Sequence, residues 1–366
     1  MSCPALLIAD APACQRTLAT LTVLDRQVIA THQAGVTGIT IVYSGDRPKL
    51  LRAAALGIDF NLTSNVPKIY VPTLLIASNL VVQREDLERV LTNKGRLFAT
   101  DRTVLPCGVT LHWKGDVEAS LPKHPRIIAE GVARMVKDGL SAAQAEDALW
   151  DTMGLETDSF VNRNFNRPLG RVVSKFLIHT RISPNQVSLL ATSVGVLAAW
   201  CFAQQTNAES HWMILGAILL QLSAVIDCVD GDIVRMLHKE TLTGKWLDIG
   251  GDQLVHLCLF AGISAGLYHK NAGAGPTLWL GLAAAFGVVL SFIAIVREEQ
   301  SETPHTRFRQ LVARAANRDY SVILLVLTIV NRVEWFLWMA VLAVHGFWMF
   351  GVWLRRQGKL DVKVDA

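Results

Sequence analysis

A soluble α/β domain followed by an all-α domain of six membrane-crossing helices is the fold this sequence predicts. Two observations predict it. Of 366 residues, 51% are hydrophobic and 18% charged, with a mean hydropathy of +0.33, too apolar on average for a soluble enzyme of this length. The charge is also uneven, because Lys, Arg, Asp and Glu recur through residues 1–181 and then vanish for whole stretches. A net charge of +4, without a basic patch and stacking aromatics, gives no case for nucleic acid, and the apolar content excludes disorder. Cys3, Cys14, Cys107, Cys201, Cys228 and Cys258 show no metal-ligand spacing. They imply a reducing, cytosolic setting and are assigned no chemistry.

The first ten residues lack a basic start and a long apolar core, so no secretory signal is expected and the N-terminus should stay in the cytosol. Short apolar runs at 5–9, 39–43 and 74–77 alternate with helical patterns at 21–33 and up to about Leu56, which reads as βαβα. Runs at 97–99 and 109–113 follow, then helical patterns at 127–137 and 142–153. This makes a soluble domain over residues 1–155, long enough for its own core.

Residues 158–181 should form an interfacial helix. Asn166, Arg167 and Pro168 read as a cap and first turn, and Arg171, Lys175 and His179 recur every four residues beside Leu169, Val172, Val173 and Phe176. Ser183-Pro184 then caps the first crossing. Six apolar spans follow, at 182–208, 210–226, 253–269, 271–296, 320–331 and 335–354. They define a membrane domain over 182–356 and leave a cytosolic tail over 357–366. The fifth span is short, with Arg318 and Arg332 expected to reach toward the two interfaces from its ends. Basic residues gather on one side, at Arg235, Lys239, Lys245, Arg297, Arg307, Arg309, Arg314, Arg318 and beyond Arg355. That side is therefore cytosolic, which sets the chain in the cytoplasmic membrane with its N-terminal domain and acidic site facing the cytosol.

The segments carrying chemistry are Asp227-Cys228-Val229-Asp230-Gly231-Asp232-Ile233-Val234-Arg235 and Gly244-Lys245-Trp246-Leu247-Asp248-Ile249-Gly250-Gly251-Asp252. Carboxylates at a membrane boundary are costly unless neutralised. Asp227 and Asp230 share one helix face, and Asp248 and Asp252 share another. Two antiparallel helices joined by a short loop would converge all four on one cavity. A carboxylate-only cluster suits hard divalent ions, Mg²⁺ or Mn²⁺, over zinc. Gly231 and Gly244 leave room for a bulky ligand such as a nucleotide diphosphate, and Arg235 offers a fixed cation for its phosphates. Asp232, about 140° around the helix from Asp227, should point elsewhere.

This run resembles the CDP-alcohol phosphotransferase signature, DxxDGxxAR, eight residues, GxxxDxxxD, with Val234 standing where the family usually has Ala. The resemblance implies a six-helix membrane enzyme, usually a homodimer, in phospholipid or inositol-phosphodiester synthesis. A second alcohol, or alcohol phosphate, would attack the β-phosphorus of a CDP-alcohol and release CMP. It implies Asp227, Asp230 and Asp248 as ligands of two divalent ions. Asp252 would contribute to the second ion and act as general base, though the sequence does not separate Asp248 from Asp252 in that role. Asp227, Asp230, Gly231, Arg235 and Gly244 would line the CDP site. Arg297, Arg307 and Arg309 are candidates for an acceptor phosphate. The stretches 158–168 and 182–187 further resemble the subgroup fused to a sugar-type nucleotidyltransferase, the inositol-1-phosphate cytidylyltransferase and di-inositol-phosphate-phosphate synthase proteins. The donor would be CDP-diacylglycerol or CDP-inositol.

That subgroup opens its Rossmann-type soluble domain with a Gly-rich loop. Residues 8–16 of this chain contain no glycine, and Ser78 and Asn79 stand where a metal-binding Asp is common, so a degenerate, catalytically silent nucleotidyltransferase-like domain is expected. Two rivals to the enzyme reading are a vestigial scaffold of the same fold and an ion or solute transporter. Four acids at one end of the bundle would not make a path across a bilayer. Trp335, Trp338, Trp348 and Trp353 read as interface anchors and packing, and His256 and His345 as satisfied packing residues.

Overall fold

The computed structural model describes residues 3–10, 12–154, 157–205, 211–273, 275–301 and 306–364, with side chains to residue 357. The chain divides into two compact units at Met153/Gly154.

The first unit runs β1 (Ala5–Ala9), β2 (Thr17–Leu18), β3 (Leu21–Thr22), α1 (Val23–Gln33), β4 (Ile39–Tyr43), α2 (Leu51–Ala55), β5 (Phe60–Thr63), β6 (Thr73–Ala77), β7 (Leu80–Val82), α3 (Arg84–Asn93), β8 (Arg96–Phe98), β9 (Val104–Thr110), α4 (Val117–Ser120), β10 (Arg126–Ile128), β11 (Ala133–Met135) and α5 (Gly139–Asp151). Seven strands form one mixed sheet in the order β10-β8-β9-β6-β1-β4-β5. β6, β1, β4 and β5 are parallel, and β9 pairs antiparallel with β6. β1 is buried on both faces, which is why its sequence is a continuous apolar run without alternation. The expected βαβα corresponds to β1, α1, β4 and α2, with the β2–β3 pair inserted after β1, while β2, β3, β5, β7 and α3 gave no signal that the apolar pattern resolved.

One expected helix is absent. Residues 127–137 form β10 and β11 because their amides are used elsewhere: Asp86 accepts from the Glu130 and Gly131 N–H groups, at 2.9 and 3.0 Å, and Gln83 Oε1 accepts from Val132 N–H at 3.0 Å. A Cβ at Gly131 would lie 2.1 Å from Gln83 Oε1, so a larger residue there would push that side chain off the Val132 N–H.

The second unit comprises α6 (Arg167–Leu177), α7 (Pro184–Ala203), α8 (His211–Leu237), α9 (Leu242–Lys270), α10 (Thr277–Glu299), α11 (Thr306–Ala315), α12 (Tyr320–Ile329) and α13 (Val333–Val364). A helix stands at each of the six expected spans. Among the described residues four are long and apolar enough to cross a membrane: α7, α8, α10 and Val333–Gln357 of α13. α9 has the length but carries Lys245, Asp248 and Asp252, and α12, at 10 residues, is about 15 Å long. The expected ends of the first two spans, at Ala208 and Ser210, lie outside the described residues, as do the last two residues of the expected tail.

α7 starts with the expected cap, Ser183 accepting from Gln186 N–H and Gln186 answering the Ser183 N–H. Asn166, in contrast, is not a cap. It continues a π-helical turn over Asn162–Asn166, and its side chain bonds Asn162 and Gln221, at 2.7 and 2.6 Å. Arg171, Lys175 and His179 fall on α6 or just beyond its end, and Leu169, Val172, Val173 and Phe176 leave an apolar face exposed.

α7 is the axis of this unit, packed along both α8 and α9. Small residues allow the approach. A Cβ at Gly262 would lie 2.1 Å from the Ala199 carbonyl oxygen, and one at Gly266 equally close to that of Phe202. Backbone cannot yield as a side chain tip can, so Gly262→Ala is expected to force α9 off α7 and destabilise the unit by about 1–3 kcal/mol. The check is the melting temperature of the detergent-solubilised protein, and an unchanged value would refute this packing.

Candidate active site

α8 and α9 are joined by residues 238–241, with His238 in the left-handed region at φ 50° and Thr241 capping α9 through the Gly244 N–H at 3.0 Å. This tight reversal sets Asp227 and Asp230, in the last turns of α8, opposite Asp248, in the second turn of α9. The two helices lie along α7, so their acidic faces meet across a space that α7 lines. Ser188 of α7 donates to Asp230 Oδ2, and Ser223 of α8 donates to the Ala191 carbonyl at 2.7 Å.

One carboxylate oxygen from each of Asp227, Asp230 and Asp248 lies within 4.8 Å of the others. Two carboxylates at about 4 Å repel by roughly 4 kcal/mol at an effective dielectric of 20, so three at this spacing favour a shared cation. Among the described residues no basic side chain pairs with Asp230 or Asp248. Three hard anionic oxygens with no protein cation on two of them fit a Mg²⁺- or Mn²⁺-like ion.

Asp252 stands apart from this trio. Its Oδ1 accepts from Arg318 Nη2, which also reaches Asp227 Oδ1 at 2.7 Å. Arg318 was expected at a membrane interface. It is instead 4% exposed, because two carboxylates on Nη2 and Ser223 Oγ, 2.8 Å from Nη1, pair both terminal nitrogens inside the bundle. Neither Arg318 nor Ser188 was picked out as a site residue from sequence. The regular spacing of the acids signals α8 and α9, whereas the partner that α7 or the start of α12 supplies has no local pattern.

Asp232 does turn away from the trio, as expected, but it is not idle. Buried at 1% exposure, it accepts from Arg167 Nη1 at 2.8 Å and from Arg235 Nη2 at 2.7 Å. Arg235 is thus anchored with its guanidinium over Gly231, where a Cβ would lie 3.0 Å from Nη1. The room expected at Gly231 for a ligand is taken by Arg235. Gly244 faces Asn185 Oδ1, 3.1 Å from where a Cβ would stand. Arg297, near the end of α10, and Arg307 and Arg309, in the first turn of α11, are exposed, and none forms an ion pair among the described residues.

A cavity of about 360 Å³ adjoins the acids. Asp248, Asp252, His256 and Tyr320 line it together with mostly apolar side chains, including Phe260 and Phe336. His256 Nδ1 lies 2.7 Å from the Asp252 carbonyl and its ring packs against Tyr320. His345 Nε2 meets the Ala283 carbonyl at 3.1 Å. Both histidines are satisfied within helices, as expected. Trp335, Trp338 and Trp353 are largely exposed, while Trp348 donates to His345 Nδ1 at 3.0 Å. The six cysteines are free thiols, and burial raises that of Cys107 well above its ordinary value.

Residues 181–353 match the model of the CDP-alcohol phosphatidyltransferase family. A bifunctional IPC transferase and DIPP synthase of Aquifex aeolicus is 33% identical over 133 residues, 36% of this chain and 28% of that protein. A phosphatidylinositol phosphate synthase of Cutibacterium acnes is 28% identical over 125 residues, 33% of this chain and 56% of the relative. The first two curated relatives are thus matched over 28% and 35% of their own length. A solved phosphatidylinositol phosphate synthase of Mycobacterium tuberculosis, in apo form, is 18% identical with a TM-score of 0.37, covering 50% of this chain and 95% of that one. The motif on α8 and α9 lies inside the matched region, so the stretch that is similar to the CDP-alcohol phosphatidyltransferase family is the one that carries the acids.

Proposed function

We propose that this chain is a divalent-metal-dependent CDP-alcohol phosphotransferase of the cytoplasmic membrane, with six crossings and its site on the cytosolic side. The observation that carries this reading is the meeting of Asp227, Asp230 and Asp248 oxygens within 4.8 Å inside the stretch that is similar to that family. These three side chains would hold the resident ion, and the donor's diphosphate would bring a second. When bound, such ions offset the charge that builds on the bridging phosphate oxygens.

The protein's own groups supply the rest. Arg235, steadied by Asp232, stands one turn beyond Gly231 and would take a phosphate of the donor. Asp252 is the better base of the two candidates, because Asp248 belongs to the trio and Asp252 does not. Arg318 holds its Oδ1, which leaves Oδ2 to accept the proton of the attacking hydroxyl. That hydroxyl oxygen bonds to the β-phosphorus as the bond from β-phosphorus to the bridging oxygen breaks, and CMP leaves. The apolar cavity beside Asp252 favours a lipid donor, CDP-diacylglycerol, over CDP-inositol. Arg297, Arg307 and Arg309 are proposed to meet the phosphate of an alcohol-phosphate acceptor, and a homodimer is the proposed assembly.

The N-terminal unit is proposed to be silent as a nucleotidyltransferase. Asn79 Nδ2 donates to the Val136 carbonyl at 3.3 Å and Asp10 Oδ1 accepts from Ser44 at 2.6 Å, so both side chains are engaged in holding loops.

Purified protein given CDP-diacylglycerol, an inositol-phosphate acceptor and Mg²⁺ is expected to release CMP, to stop with a chelator and to fail as Asp252→Asn. CDP-inositol is expected to be the poorer donor, and CTP plus inositol phosphate to yield no CDP-alcohol. Metal-independent CMP release, or none with any donor, would refute the phosphotransferase reading.

A further inference from the structure

A buried guanidinium is costly unless paired, and Arg318 is paired twice, with Asp227 and Asp252. The backbone on both sides of it is clamped. Asn317 Nδ2 donates to the Thr157 carbonyl at 2.7 Å, Asn162 Nδ2 donates to Asn317 Oδ1 at 2.6 Å, and Ser159 Oγ donates to Asp319. One turn on, Ser321 Oγ donates to Gln221 Oε1 at 2.8 Å. Arg318 is therefore a fixed part of the acidic site, held from the segment before α6 and from α8.

Its position divides the acids. Asp227, Asp230 and Asp248 can share one ion, while Asp252 answers to Arg318. Four carboxylates against one guanidinium leave three net negative charges. One divalent ion lowers that to one, whereas two would overshoot to one positive charge in a poorly solvated setting. A diphosphate adds at least two negative charges and makes a second ion favourable.

We infer that Arg318 stands in for the second divalent cation while no donor is bound, so that the donor-free protein holds one ion, and that Arg318 releases Asp252 when the donor brings the other. This rests on the proposed reading of the Asp227, Asp230 and Asp248 trio as a divalent-ion site. Arg318 is accordingly a positioning residue, which sets ion number and holds Asp252 in place.

The test is Mn²⁺ titration of the full-length protein in detergent, followed by calorimetry and by the spin resonance of free Mn²⁺. Without nucleotide, wild type and Arg318→Lys are expected to take up one ion per chain and Arg318→Gln two. Two ions in wild type, or one in Arg318→Gln, would overturn the inference while leaving the site reading intact. No uptake by any form would sink the site reading and the inference with it. Should Arg318→Gln fail to fold, Asp252→Asn carries the test. The resident ion's affinity should then stay within about twofold of wild type, and a loss of tenfold or more, the scale of a lost ligand contact, would overturn the inference.

Discussion

Replacing Asp230 by Asn is expected to lower CMP release by about 10²–10³-fold, the range set by losing one strong electrostatic contact at a reacting phosphate. The substitution keeps the side chain's shape, and Ser188 can still donate to the remaining carbonyl oxygen, so the fold should hold. What disappears is one of three anionic oxygens that lie within 4.8 Å of one another. Hard divalent ions bind an anionic carboxylate oxygen far better than a neutral amide, so raising the Mg²⁺ concentration should recover part of the loss. Steady-state CMP release across a Mg²⁺ series, with the melting temperature as a control for folding, measures this. An Asp230→Asn enzyme within tenfold of wild type at low Mg²⁺ would remove Asp230 from the metal site.

The largest stability effect should come from Arg167→Met. Arg167 donates to Asp158 Oδ1 and to Asp232 Oδ1, each at 2.8 Å, and all three side chains are buried. Removing the guanidinium takes from Asp158 and Asp232 the buried cation they share, while Arg235 keeps its pair with Asp232. Breaking a buried pair from one side costs about 3–5 kcal/mol, most of it from the charge left behind. Thermal unfolding in detergent should therefore begin well below wild type. Adding Asp158→Asn should restore part of the loss, since a neutral amide is cheaper to bury than a carboxylate. A lone Arg167→Met that melts with wild type would show that solvent reaches this cluster.

Particular residues show how much of the site was legible. The spacing of Asp227, Asp230, Asp248 and Asp252 around Gly231 and Gly244 marks two helix faces without any structure, since side chains three and four apart on a helix must share a face. The start of α7 was legible for the same local reason, since Ser183 caps it in a box with Gln186, whereas the cap read at Asn166 was not there. The reach of Arg318 was not legible. A basic residue beside an apolar span reads as an interface anchor, and only the packing of α12 on α8 turns it inward to Asp227 and Asp252. Residues 127–137 failed similarly. Their apolar spacing suits a helix, but Asp86 and Gln83 on or beside α3 take the amides a helix would need.

By itself the sequence determined the division into an α/β unit and an apolar helical unit, the acidic motif and its helix faces, and the kind of ion such oxygens hold. Those follow from composition and from periodicity, which act within a few residues. The tertiary structure decided which acids bring their oxygens within 4.8 Å of one another, which one a guanidinium claims, and that Arg235 leans on Asp232. Those outcomes depend on α7 holding α8 and α9 apart, a matter of how glycine and alanine let backbones approach, and contacts between residues far apart in the chain leave no local pattern to read.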